Sequence, residues 1–201
     1  MEDVFNVIFG ILGVGLFLIT FLGYPLLMIF GTISINKYTK RQVASGEDKQ
    51  TLKNFAATIF KQPENYTFAV GNNTKSERHG NTTTYYYYSY LLAFNQEEFH
   101  VISFKTEDHR PVCRNIMTFN YSEMQLTHKR KKKSLEINLY YAGELLHMTV
   151  PDLVKGTNND KSDTPYAVEQ AHEVQMLEQM LMQYEARSYQ LQVGSRVGQA
   201  V

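Results

Sequence analysis

The chain has 201 residues, 20 basic against 20 acidic side chains and a pI near 7.0. That balance gives no global case for nucleic acid or for a generally basic membrane-binding protein. The single cysteine, Cys113, rules out an internal disulfide and reads as a small buried apolar residue.

From Val4 to Ile35 the sequence VFNVIFGILGVGLFLITFLGYPLLMIFGTISI contains no Asp, Glu, Lys, Arg or His. A bilayer core about 30 Å thick takes roughly 20 apolar residues as a helix, so the run predicts one tilted transmembrane pass. The start is acidic, with Glu2 and Asp3, and the run is longer than the apolar centre of a signal peptide. An uncleaved anchor is therefore expected. Residues 1–41 are the anchor with its basic flank, Lys37, Lys40 and Arg41. Basic residues stay cytoplasmic, which predicts an outside amino terminus and a cytoplasmic domain at the cell membrane. Four acceptor triplets, at Asn65, Asn72, Asn81 and Asn120, point the other way wherever a glycosylating compartment is present.

Residues 42–63 read as a linker and a juxtamembrane amphipathic helix. Leu52, Phe55, Ala56, Ile59 and Phe60 recur on one helical face, to be packed on the following domain, laid on the membrane, or both. Pro63 is expected to end that helix. From Tyr66 to Val150 the period becomes that of strands. Seven are predicted: 66–70, 83–94, 99–105, 112–118, 121–128, 134–141 and 144–150. Leu135, Ile137 and Leu139 alternate with Glu136, Asn138 and Tyr140, a strand with one wet face. Residues 95–97 and Ala142-Gly143 are short links, so neighbouring strands should be antiparallel. Gly71 to Gly80 reads as a polar loop, and Tyr85 to Tyr88 with Tyr90 as ordinary sheet packing. After a polar connection, Thr164 as cap and Pro165 at the first helical position predict a helix to about Val193. Its core stripe is Ala171, Val174, Leu177, Leu181 and Tyr184. Residues 194–201 read as a disordered tail.

Strand-turn-strand residues 90–104, the hairpin 134–150 and the closing helix from Pro165 together resemble the pleckstrin-homology-like domains of small bacterial single-pass membrane proteins. The resemblance covers residues 64–193. It implies an α+β fold, in which an N-terminal transmembrane helix precedes a seven-stranded antiparallel barrel capped by a C-terminal helix. It also implies contact with anionic lipid or with a peptide.

Catalysis finds no constellation here. Six histidines are scattered singly, and no metal-ligand spacing, phosphate loop or nucleophile elbow occurs. Glu97 and Glu98 read as a solvated turn pair. No enzyme, metal or cofactor is expected. The sharpest local signal is Lys129, Arg130, Lys131, Lys132 and Lys133, a basic hairpin tip between two strands. Beside a cytoplasmic leaflet such a tip can touch anionic headgroups at about 1 kcal/mol per side chain. Lys37, Lys40 and Arg41 would share that plane. An acidic protein partner and a merely solvated tip remain open, and nucleic acid is not expected, since it would need a basic face. The expected function is that of a membrane-tethered, non-enzymatic interaction module that recruits a protein or anionic lipid. The alternative is an accessory subunit of a larger secretion, conjugation or envelope assembly.

Overall fold

A computed structural model describes residues 23–120, 125–141, 143–156 and 165–197. Met1–Arg41 and Gln42–Val201 are two compact units. Helix α1, Tyr24–Ser45, exposes Leu27, Met28, Ile29, Phe30, Ile33 and Ile35 to solvent. These positions lie all round the helix rather than along one stripe. Among the described residues no helix is long and apolar enough to cross a membrane. Residues 1–22, most of the predicted span, lie outside the described residues.

Gly46, at φ 70°, takes the left-handed conformation that ends α1. Helix α2, Glu47–Ile59, then buries Leu52, Phe55 and Ala56. That is the predicted amphipathic face, and it packs on a sheet. Pro63–Asn65 forms a single 3-10 turn.

Seven antiparallel strands follow: β1 Thr67–His79, β2 Thr82–Phe94, β3 Glu98–Glu107, β4 Arg110–Asn120, β5 Gln125–Lys131, β6 Ser134–Tyr141 and β7 Glu144–Pro151. Their order in the sheet is β4-β3-β2-β1-β7-β6-β5. The α+β class and the sheet with its C-terminal helix, α3 (Ala171–Val197), fit a pleckstrin-homology-like pattern. The expected barrel is an open sheet, because β4 and β5 are edges that do not pair with each other among the described residues.

Burial on the sheet follows which helix covers which face. Leu92, Phe94, Phe99, Val101, Leu135, Ile137 and Leu139 meet Val174, Leu177 and Leu181 of α3. Leu91, Ala93, Ile102 and Phe104 point the other way, into a second core with Leu52, Phe55 and Ala56 of α2. β2 and β3 are thus apolar on both faces because both faces are covered. β6 keeps one wet face because α2 does not reach it.

Three expectations need correction. The polar stretch Gly71 to Gly80 is not a loop: β1 runs to His79, and His79 pairs with Thr82 across a two-residue turn with Gly80 at φ 61°. The C-terminal helix does not start at Pro165. Val168 and Glu169 form β9, pairing with β8, Leu153–Val154, and the helix opens at Ala171 and continues past Gly194 to Val197. Cys113 is exposed, on β4 at the edge of the sheet.

Candidate interaction surfaces

The basic tip is a hairpin turn: β5 ends at Lys131, β6 begins at Ser134, and Lys132 and Lys133 lie between them, both exposed. Two of its five cations are spent inside the fold. Arg130 stands 2.9 Å from Asp152 and 3.7 Å from Glu178 of α3. Lys131 donates to Glu136 across the hairpin, and that bond holds the Glu136 carboxyl below the ordinary carboxylate value. His128 adds a 2.9 Å contact to Glu185. The hairpin is therefore fastened to α3, and Lys129, Lys132 and Lys133 enter no ion pair among the described residues. Lys37, Lys40 and Arg41 sit exposed on α1, in the other compact unit.

A groove runs beside α3, and the sequence reading did not locate its walls. Its first chamber, about 270 Å³, is floored by Leu52, Phe68, Val70, Leu91, Val168 and Met176. Lys49, Lys53, His172 and Glu173 form the rim. Lys49 Nζ donates to Glu173 Oε1 at 2.6 Å and clamps α2 to the first turn of α3. Burial pushes the Glu173 carboxyl up, but the Lys49 bond, a backbone N–H and the charges of Lys49 and His172 bring it below its ordinary value. The second chamber, about 330 Å³, shares Thr67 and Met176 with the first. Its walls carry the amides of Asn95, Gln96, Gln179 and Gln183 beside Phe94 and Met180. Tyr184 Oη donates to the Gln96 carbonyl at 3.0 Å at its far end. His172, Met176, Gln179 and Gln183 recur at 4-3-4 spacing, one stripe of α3 next to its core stripe. That spacing was legible, but the α2, β1 and β2 residues that complete the groove are far from it in sequence.

Glu98 is not merely solvated. It accepts from Tyr66 Oη at 2.8 Å and meets His100 Nε2 at 2.9 Å, and these two bonds hold its carboxyl below the ordinary value. Buried His100 reaches Thr118 Oγ1 through Nδ1 at 3.0 Å, with the Phe60 and Tyr66 rings edge-on to it. The set ties the segment after α2 to β3 and β4. The Cys113 thiol is pushed up by desolvation, the opposite of what an activated nucleophile needs.

Among the described residues, the β1–β2 hairpin from Asn73 and Tyr88 outward pairs only with itself. Tyr90 is core, whereas Tyr85, Tyr86 and Tyr87 stand exposed on that two-stranded arm instead of in sheet packing. Compared with known proteins, the chain matches no family model, no curated protein and no solved structure.

Proposed function

We propose that the chain is a membrane-tethered, non-enzymatic interaction module, anchored by its amino-terminal apolar run and recruiting a partner at the cytoplasmic face. The observation that carries this reading is α1. Its described part turns apolar side chains outward on all sides from Tyr24 to Ile35, a surface that water solvates poorly and hydrocarbon accepts. It continues the uncharged stretch that begins at Val4 and is followed at once by Lys37, Lys40 and Arg41. The groove beside α3 gives the anchored unit a place for a partner segment. Lys129, Lys132 and Lys133 give it a weaker contact with anionic headgroups, since Arg130 and Lys131 are already paired.

Alkaline carbonate extraction of membranes from expressing cells tests the anchor. The full chain is expected to stay in the pellet at high pH and in 1 M salt, and a form starting at Gln42 is expected to leave it. Release of the full chain by salt alone would reduce the tether to a charge contact. A second reading, a subunit of a larger membrane assembly, is supported by the exposed tyrosine arm, whose rings offer contact area at low entropic cost. Crosslinking in native membranes separates the two, since a stoichiometric partner held through the arm favours the assembly.

A further inference from the structure

Resting on the reading of this unit as an interaction module, the geometry points to the occupant of the groove: we infer that it binds a short extended peptide segment carrying a bulky apolar residue next to an acidic one. The stripe from His172 to Gln183 covers about 17 Å of helix at 1.5 Å per residue. An extended segment rises roughly 3.3 Å per residue, so about five residues fit.

The two chambers ask for different things. The first is apolar at its floor and open at its mouth, and its volume of about 270 Å³ suits one large aliphatic or aromatic side chain. Lys49 is neutralised at that mouth by Glu173, whereas Lys53 is exposed on the same rim with no ion pair among the described residues, and His172 stands beside it. The rim therefore carries unbalanced positive charge, which an adjacent Asp or Glu would complement. The second chamber is lined by five carboxamides, of which Asn95 and Asn65 already bond within the chain, to the N–H groups of Glu97 and Glu98 and to Gln62, and Gln96, Gln179 and Gln183 are the other three. A glutamine amide can both donate and accept, which matches a peptide backbone and does not match a hydrocarbon tail. An acyl chain would fill the first chamber and leave the second unused.

The test uses the full chain in detergent micelles and fluorescein-labelled heptapeptide sublibraries, each with one residue fixed and the others mixed, read by fluorescence anisotropy. Sublibraries fixed as Leu, Ile, Met or Phe should bind at least tenfold tighter than those fixed as Ser or Lys. Fixing Asp or Glu beside the apolar position should improve binding several-fold over Lys. Met176 lines both chambers and is 39% exposed, so Met176→Glu should fold, as a thermal melt will check, and lose binding more than tenfold. Lys53→Glu should reverse the acidic preference and leave the apolar one in place. Lys132→Ala, on the hairpin, should change neither. Absence of any sublibrary preference, or preferences that survive Met176→Glu, would overturn the assignment. So would saturable, Met176-dependent binding of dansyl-undecanoic acid with no peptide bound, which would make the groove a lipid site. Each of these results leaves the carbonate extraction untouched, so failure of the peptide assignment is separable from failure of the membrane tether.

Discussion

Between β1 and β7 the ladder comes down to Asn72 opposite Thr149, and Gln170 supplies the bonds that the backbone does not. Its Oε1 accepts from Val70 N at 2.7 Å, and its Nε2 donates to the carbonyls of Val70 and Pro151 at 2.8 and 2.7 Å. The side chain is 1% exposed. Removing it leaves three buried backbone groups unpaired at roughly 1–3 kcal/mol each before relaxation. Gln170→Ala is thus expected to cost about 3 kcal/mol or more in urea unfolding. Gln170→Glu should cost at least as much near neutral pH, because a carboxylate can accept from Val70 N but sets a buried charge against the carbonyls of Val70 and Pro151. A cost under about 1 kcal/mol for the alanine variant would mean that β1 and β7 close on each other without it. Nothing in the local sequence marks this residue, since its partners lie 100 and 19 positions away. Asp108 and His109, both at positive φ, make the two-residue turn between β3 and β4. Asn-Gly is the pair that such a turn prefers. His109→Gly should therefore raise the midpoint of thermal unfolding, by the equivalent of roughly 1 kcal/mol.

Helices α2 and α3 differ in how their contacts respond to pH. The Lys49–Glu173 pair links them, with side chains 42% and 18% exposed, so solvent screening discounts its worth to well under that of a buried pair. Because the folded Glu173 value is lowered, its contribution is fully present above the ordinary value near 4.5 and is lost as pH falls through the folded value. The stability gap between the parent and Glu173→Gln, followed by chemical denaturation, should therefore be constant near neutrality and narrow as pH falls below the ordinary value near 4.5. A gap that persisted at pH 2 would show that glutamine is simply a poorer fit there. Asp48 runs the opposite way. Burial raises its carboxyl most, a backbone bond from Ala167 N at 2.7 Å offsets this in part, and Glu47 raises it further. Its folded value lies above the unfolded one, so stability falls as pH rises between them.

At this same scale the sequence was most readable where burial is local and one-sided. The Leu52, Phe55, Ala56 face and the Leu135, Ile137, Leu139 strand both fold as their periods require. The β1–β2 arm was opaque because it is held by cross-strand pairing of polar residues with tyrosines rather than by burial. Pro165 misled because the capping pattern is also compatible with a turn. Gly156 shows what the chain does instead: a Cβ there would lie 2.7 Å from Pro165 O and 3.0 Å from Ala167 N. Two backbone segments meet at that glycine, and β9 follows from the contact. Of the candidate sites, the basic tip was visible as a charge run, but its ion pairs with Asp152 and Glu178 depend on tertiary contacts that no local pattern records.

At the scale of the whole molecule the proposed tether turns on which side of a membrane the folded unit would occupy, and the fold supplies its own reporter. Lys37, Lys40 and Arg41 after the apolar run favour a cytoplasmic domain. Asn81, the acceptor of one triplet, sits exposed in the turn at the tip of the β1–β2 arm, and Asn65 is exposed in the turn before β1. Both would be reachable by a lumenal transferase, whereas Asn72 is half-buried beside β7. Translation of the full chain in the presence of microsomes should therefore give a membrane-inserted product with no glycan mass shift, digested by added protease on the outside of the vesicles. A control chain carrying two added lysines before Val4, with Lys37, Lys40 and Arg41 changed to Gln, should invert. Its domain should then be protected and should gain a glycan that Asn81→Gln reduces. Glycosylation of the unaltered chain at Asn81 would place the domain on the far side of the bilayer and transfer any partner of the groove to the exterior.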